Sequence, residues 1–174
     1  MSIESIKSKI RSIPDYPKKG ILFRDITTLL QDAEAFSEVI DIMAAKYSDK
    51  LPTKVIGIES RGFIFGMVLA YKLGVGFVPI RKKGKLPYNV YEASYDLEYG
   101  SATVEIHQDA LSSGDRVVIV DDLLATGGTA GAAIDLVKKF DAEIVGFDFV
   151  IELLDLKGRD KLHDYPVNTV IAYE

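Results

Sequence analysis

The stretch of residues 117–129, which reads VVIVDDLLATGGT, constrains the fold more than any other part of the chain. It opens with β-branched apolar residues that do not alternate with polar ones, a pattern typical of a strand buried on both faces of a parallel sheet. Two carboxylates, Asp121 and Asp122, follow the strand, and a loop of small residues then leads into a helical pattern. This order of elements predicts an α/β fold with a mostly parallel central sheet flanked by helices.

The loop, Ala125-Thr126-Gly127-Gly128-Thr129, has the residues that a phosphate-binding loop needs. We expect it at the carboxyl edge of the sheet, where unpaired N–H groups lie at the positive end of the helix dipole. Glycine lets the backbone approach a ligand, and the two threonines add hydroxyl donors. The lysine of a Walker A sequence and the spacing of dinucleotide-binding loops are both absent. The loop is therefore predicted to be a phosphate cradle, the alternative being a plain Gly-Gly turn that the aspartates cap.

Asp121 and Asp122 indicate what else the cradle would hold. Carboxylates repel a phosphate, so we expect them to face either sugar hydroxyls or a hydrated cation. A sugar phosphate, with its phosphate in the loop and its hydroxyls towards the carboxylates, satisfies both parts of the motif.

A second motif of the same kind occurs earlier in the chain. The apolar run 54–58 predicts a buried strand, which ends in Glu59-Ser60-Arg61-Gly62 before another helical pattern. Ser60 and the glycine can offer donors and Arg61 carries a positive charge, so this turn is a candidate anion pocket beside the cradle. The alternative is an ordinary turn with a surface arginine.

A third predicted strand, 76–80, runs into the basic segment 81–85, which reads RKKGK. Such a run is either a solvated loop or a flexible arm that folds over pyrophosphate. Residues 86–108, which we call the hood, alternate in part around Gly100 and predict an antiparallel hairpin. Glu98 lies near its tip, where a carboxylate is by default exposed and inert.

The N-terminal region, residues 1–30, is predicted to hold a short helix over 2–11, an extended arm over 13–20 and an apolar stretch over 21–26. Arg24 interrupts that apolar stretch. It is either a surface residue paired with Asp25 or another acid, or a site residue on an apolar platform.

Composition sets outer limits on function. A length of 174 residues predicts a single domain over 1–174, and the net charge of -5 argues against bulk nucleic-acid binding. The absence of cysteine excludes disulfides, thiolate catalysis and cysteine metal sites, and it fits a cytoplasmic protein. The sequence has neither a signal-peptide pattern nor an apolar run long enough for a membrane span, so no membrane association is expected.

Five segments occur in one order and carry a family resemblance: ILFRDI (21–26), ESRGF (59–63), RKKGKLP (81–87), ASYDLEYG (93–100) and VDDLLATGGT (120–129). The last of these resembles the phosphoribosyl-pyrophosphate motif of the type I phosphoribosyltransferases. The basic segment and the LEYG sequence are similar to the branch of that family that uses adenine, and the resemblance covers nearly the whole chain.

The resemblance implies a type I phosphoribosyltransferase fold with a small antiparallel hood and a flexible loop over 81–108. It implies purine salvage, in which adenine and phosphoribosyl pyrophosphate give AMP and pyrophosphate in the presence of Mg²⁺. The diphosphate would carry this ion, so no metal site on the protein is expected. The partners implied are these two small molecules and a second copy of the chain in a homodimer.

The resemblance also implies roles for individual residues. Glu98 would manage the purine proton, Tyr99 would act as the lid, and Arg61 would be catalytic as well as pyrophosphate-binding. The remaining roles fall into three groups: Ala125, Thr126, Gly127, Gly128 and Thr129 for the 5-phosphate with Asp121 and Asp122 for the ribose; Ser60, Arg61, Arg81, Lys82 and Lys85 for pyrophosphate; and Leu22, Phe23 and Arg24 for adenine. An unusual backbone geometry is expected at the Ser60-Arg61 turn.

Three alternative functions remain open. The first is the same chemistry on hypoxanthine, guanine or xanthine, against which Glu98 and the Phe23-Arg24 segment argue. The second is a regulator that binds phosphoribosyl pyrophosphate without catalysis, which would be expected to carry a nucleic-acid-binding module for which this chain has no spare length. The third is a generic sugar-phosphate binding module, which would leave the basic segment without a purpose.

Overall fold

The computed structural model describes residues 2–97 and 100–174. Its strands are β1 (Arg11–Pro14), β2 (Leu22–Asp25), β3 (Lys54–Ile58), β4 (Gly76–Lys82), β5 (Val90–Asp96), β6 (Ser101–His107), β7 (Arg116–Leu124), β8 (Glu143–Leu153) and β9 (Val167–Tyr173). Its α-helices are α1 (Ile3–Ser8), α2 (Thr27–Leu30), α3 (Ala33–Ala45), α4 (Arg61–Leu73) and α5 (Gly128–Val137). Short 3-10 turns cover Leu154–Leu156 and Gly158–Leu162.

A seven-stranded sheet in the order β5-β6-β4-β3-β7-β8-β9 forms the centre of the protein. The run β4-β3-β7-β8-β9 is parallel throughout, whereas β5 and β6 join its edge as an antiparallel pair. This arrangement confirms the predicted α/β fold with a mostly parallel sheet and an antiparallel hood.

Strand β7 is buried on both faces, as its uninterrupted apolar sequence predicts. Val118 and Val120 pack into a core with helices α3 and α4, while Val117 and Ile119 pack into a second core with α5. All of them have no solvent exposure. Successive side chains of a strand point to opposite faces, so one apolar run supplies both layers of the core.

The hood hairpin packs against the helix that follows the predicted cradle. Strands β5 and β6 meet at Gly100, whose positive φ of 86° suits a turn. A Cβ built on Gly128, the first residue of α5, would lie 3.1 Å from the Tyr95 ring of the hood. The hood therefore closes directly over the beginning of this helix.

The N-terminal region forms α1 and an antiparallel pair of strands, β1 and β2. The helix is shorter than predicted, since it ends at Ser8, and the first residues of the predicted arm pair with β2. Asp32 caps α3, because its carboxylate accepts a hydrogen bond from Ala35 N at 3.0 Å. Within the described residues, no helix is both long and apolar enough to cross a membrane.

Candidate active site

The carboxyl ends of three neighbouring strands bring most of the predicted site residues to one edge of the sheet. Strand β3 leads into the turn with Ser60 and Arg61, β4 leads into the basic segment, and β7 ends in the cradle. Because β3 lies between the other two strands, the predicted anion pockets are direct neighbours. Ligand sites of open parallel sheets are typically found at this edge.

The cradle surrounds a cavity of about 70 Å³ at the N-terminus of α5. Gly127 is the residue that precedes the helix, and its φ of 75° is left-handed, a conformation that glycine adopts without steric cost. No side chain caps α5, so its first N–H groups face the cavity. The lining residues are Asp121, Leu123, Leu124, Ala125, Thr126, Gly127, Gly128, Thr129, Ala130 and Phe149.

Asp121, which is half-buried, and Asp122, which is buried, form an acidic pair beside this cavity. The Asp121 carboxylate accepts a hydrogen bond from Asp122 N at 2.9 Å, and Asp122 is only 5% exposed. Burial and the neighbouring Asp122 carboxyl raise the pKa of Asp121 well above its ordinary value. Burial also raises the pKa of Asp122, although the Arg61 guanidinium opposes this. A carboxyl pair of this kind favours keeping a proton and can both donate to and accept from hydroxyls.

Arg61 connects the separate parts of the site. Its Nε donates to the Asp122 carboxylate at 2.8 Å, and its guanidinium carbon lies 5.7 Å from the centre of the Phe23 ring. The sequence placed these three residues in different groups, and the structure brings them together. The backbone before Arg61 is unusual, as expected, because the Glu59–Ser60 peptide bond is cis.

Arg81 is paired with an acid that the sequence did not single out. Glu59 accepts hydrogen bonds from Arg81 Nε at 3.3 Å and from the Lys82 backbone N–H at 2.8 Å. Burial raises the pKa of Glu59, but these two partners outweigh it, so the pKa is lowered overall. The Arg81 charge is therefore already balanced by a carboxylate in this structure.

The lysines of the basic segment differ from one another. Lys83 forms an ion pair with Glu92 of the hood at 2.8 Å, which raises the pKa of Lys83. The described residues provide no acidic partner within salt-bridge distance for the side chains of Lys82 and Lys85. These two lysines are thus the cations of the segment that are available to a bound anion.

The predicted base-binding segment lies on β2 and has side chains on both faces of this strand. Leu22 and Arg24 line a cavity of about 390 Å³, whereas Phe23 lies under Arg61. The Arg24 guanidinium stacks on the Tyr173 ring at 3.7 Å and donates to Ser12 Oγ at 2.6 Å. Asp25, the neighbouring acid considered as a partner of Arg24, forms an ion pair with Arg11 at 3.2 Å.

Several residues that line the cavity beside Leu22 and Arg24 were not predicted from sequence. They come from the end of β8, from the turn after it and from the C-terminus: Leu153, Asp155, Leu156 and Glu174. They lie far from β2 in the chain and belong to no motif, and β2 is in a separate sheet, so only tertiary packing brings them there. The predicted acid Glu98 and the predicted lid Tyr99 lie outside the described residues.

The predicted cradle, the carboxyl pair and the basic segment lie along one sheet edge, an arrangement that fits a phosphorylated sugar. A family described as "Phosphoribosyl transferase domain" matches residues 25–172. A protein of Trichodesmium erythraeum named adenine phosphoribosyltransferase is 56% identical to this chain, over 97% of it and 99% of the relative. The chain therefore belongs to the phosphoribosyltransferase family, and within it to the adenine phosphoribosyltransferases.

Solved structures agree with this assignment. The adenine phosphoribosyltransferase of Thermoanaerobacter pseudethanolicus superimposes with a TM-score of 0.95 at 49% identity, covering 99% of this chain and 100% of that one. The enzyme of Saccharomyces cerevisiae, solved with adenine and an imino-altritol bisphosphate, has a TM-score of 0.92 at 42% identity, covering 97% of this chain and 98% of that one.

Proposed function

We propose that this protein transfers the 5-phosphoribosyl group of phosphoribosyl pyrophosphate to adenine, releasing AMP and pyrophosphate in purine salvage. The observation that carries the proposal is the Arg61 contact set, which joins the acidic pair beside the cradle to the β2 segment through Asp122 and Phe23. A phosphorylated sugar and a flat base fit side by side along that line. Adenine is preferred over the oxopurines because relatives above 50% identity are named for it.

The phosphoribosyl part of the donor would lie in the cradle. The N–H groups at the start of α5, with the hydroxyls of Thr126 and Thr129, would bind the 5-phosphate. Asp121 and Asp122 would bind the ribose hydroxyls, for which their raised pKa is suited because a protonated carboxyl can donate as well as accept.

The pyrophosphate would lie between the Ser60-Arg61 turn and the basic segment. Lys82 and Lys85 would supply charge without breaking an ion pair to any described residue, whereas Arg81 would have to exchange Glu59 for the ligand. Mg²⁺ would arrive with the diphosphate, because this ion prefers oxygen ligands and keeps its waters. When bound, it would neutralise charge that develops on the leaving group. The described residues hold no cluster of three metal-ligating side chains.

Adenine would lie against β2, with Phe23 as the flat apolar surface and Leu22 and Arg24 beside it. Leu153, at the end of β8, joins Leu22 and Arg24 in the wall of the adjacent cavity. We assign Glu98 to the purine proton and Tyr99 to closing the site, in agreement with the family resemblance.

The chemistry needs no covalent nucleophile on the protein. Breaking the bond between ribose C1 and pyrophosphate builds positive charge on the sugar and negative charge on the leaving group. Arg61, Lys82 and Lys85 would stabilise the leaving group, while the acidic pair orients the sugar. Glu98 would accept the proton that adenine loses as its nitrogen attacks. The hood would exclude water, which would otherwise hydrolyse the activated sugar.

We further propose that the single domain, residues 1–174, acts as a homodimer in the cytoplasm. Helix α4 exposes an apolar stripe in which Met67 is 50%, Val68 36% and Tyr71 89% exposed. Burial of such a stripe against a second copy would remove apolar surface from water. Tyr71→Glu should shift the protein towards monomer in light scattering, and a wild-type monomer would contradict this part of the proposal.

A purine panel tests the function. The protein is incubated with phosphoribosyl pyrophosphate and Mg²⁺, and adenine, hypoxanthine, guanine and xanthine are offered separately while nucleotide formation is followed. The proposal predicts AMP from adenine alone. Turnover of an oxopurine would instead support the alternative base specificity. Binding of phosphoribosyl pyrophosphate without turnover of any base would support the non-catalytic regulator.

A further inference from the structure

The second 3-10 turn after β8, Gly158–Leu162, lies in direct contact with the phosphate cradle. A Cβ built on Gly127 would lie 2.5 Å from the carbonyl oxygen of Gly158, and one built on Gly158 would lie 3.0 Å from Gly127 N. The same Cβ on Gly158 would also overlap the backbone carbonyl of Ala125. Two stretches of backbone therefore touch with no room for a methyl group between them.

The two glycines are required for different reasons. Gly127 has a left-handed φ of 75°, so its backbone conformation alone favours glycine. Gly158 does not have a positive φ, and any residue could adopt its backbone conformation. The absence of a side chain at Gly158 is therefore explained by its contact with the cradle and by nothing local to the turn.

Arg159 fixes this turn to the sheet. Its guanidinium binds the Glu152 carboxylate with both Nε and Nη2, at 2.9 and 2.6 Å, and its Nη1 donates to the Val167 carbonyl at 2.8 Å. Glu152 is 4% exposed and also accepts from Thr169 Oγ1 at 3.1 Å. A bidentate pair of this kind has a defined geometry as well as a favourable energy. The turn is thereby tied to β8 and β9 at once.

We propose that Gly158 and Arg159 are positioning residues for the phosphoribosyl donor. Arg159 holds the turn in place, and the Gly158 backbone supports Ala125 and Gly127 from behind, so that the cradle N–H groups stay aimed at the 5-phosphate. Neither Gly158 nor Arg159 lines the cradle cavity. This inference rests on the proposed function, and it adds to the site a segment that lies outside the five motifs. A loop of small residues has little else to fix it, and preorganised donors lose much of their effect when displaced by about 1 Å.

The test compares Gly158→Ala with Gly131→Ala, a matched control. A Cβ on Gly131, in α5, meets nothing within 4 Å, so this change is expected to be harmless. In Gly158→Ala the added methyl displaces the cradle, and we expect the KM for phosphoribosyl pyrophosphate to rise by roughly tenfold or more. The KM for adenine should stay within about twofold, because the base lies against β2. Calorimetric binding of phosphoribosyl pyrophosphate should weaken in parallel.

Arg159→Lys provides a second variant for the case in which Gly158→Ala does not fold. It keeps the positive charge beside Glu152 but loses the bidentate geometry. We expect the KM for phosphoribosyl pyrophosphate to rise less than in Gly158→Ala, and the KM for adenine to change little. Equal rises for both substrates, or no difference from Gly131→Ala in the folded variants, would overturn the inference. If the wild-type protein binds the donor without making AMP, the proposed function is refuted. The role of the turn could then still be tested by comparing donor binding between Gly158→Ala and Gly131→Ala.

Discussion

Replacing Asp148 by asparagine should remove a large part of the pH dependence of the free energy of unfolding. Asp148 lies on β8, is 1% exposed, and accepts hydrogen bonds from the Tyr47 hydroxyl and from Asn168. Burial raises the pKa of Asp148 from 3.8 to about 7, against the effect of both hydrogen bonds. The folded state therefore holds a proton on this carboxyl in a pH range in which the unfolded chain has lost it.

The sign and size of the effect follow from this difference. A raised pKa in the folded state gives stability that is fully present below the unfolded pKa of 3.8 and is lost as the pH rises towards about 7. Each pKa unit corresponds to about 1.4 kcal/mol, so the complete loss for Asp148 is about 4 kcal/mol. Between pH 5 and pH 8 the wild-type protein should lose about 2–3 kcal/mol through this group. Asparagine stays neutral and resembles the protonated carboxyl in shape, so the variant should not show that loss.

Urea unfolding at pH 5 and pH 8 measures the effect. Wild type, Asp148→Asn and the control Asp109→Asn, which changes an exposed aspartate, are compared at both pH values. Asp148→Asn should narrow the stability difference between the two pH values by about 2–3 kcal/mol, and the control should leave it unchanged. If Asp148→Asn and wild type lose the same free energy from pH 5 to pH 8, the reasoning about burial is refuted.

Three further predictions concern the site. Glu98→Gln should lower kcat by about 10²–10³-fold in the adenine assay and leave the KM for phosphoribosyl pyrophosphate nearly unchanged, because the change removes only the proton acceptor. A normal kcat would exclude Glu98 as the acceptor of the purine proton. Lys82→Ala should raise the KM for phosphoribosyl pyrophosphate by about tenfold, whereas Lys83→Ala should raise it by less than about twofold, because Lys83 is engaged with a hood carboxylate. Equal rises in the two variants would contradict the distinction between the paired and the available lysine. Gly62→Ala should lower the free energy of unfolding by about 1–3 kcal/mol and reduce kcat/KM, because its Cβ would lie 2.6 Å from the Val120 carbonyl oxygen and 3.0 Å from the Asp121 carboxylate. An unchanged urea midpoint would show that the packing at Gly62 is looser than described.

The sequence predicted those parts of the fold that are determined by residues close together in the chain. Strand β7, the loop after it and helix α5 could be recognised because an apolar run, two acids and a glycine loop follow one another directly. The hood hairpin could be recognised from alternation around Gly100. Such features are set by side-chain period and turn chemistry within a few residues, which are visible in a single sequence.

The contacts that the sequence did not predict are formed by residues that are distant in the chain. Glu59 neutralises Arg81 only because β3 and β4 are neighbours, and no local pattern marks that pair. Gly158 appears in the sequence as one glycine within a polar connection, and its contact with Gly127 depends on the return of the chain after β8. Both require the sheet order, which the motifs suggest but do not specify.

A crystal structure of the complex with AMP tests the central claim most directly. We expect the phosphate to lie within hydrogen-bonding distance of the backbone N–H groups of residues 126–129, the ribose hydroxyls to contact Asp121 and Asp122, and the base to lie against Phe23. AMP bound with its phosphate at the basic segment, or with its base away from β2, would contradict the assignment of the cradle and of the base site.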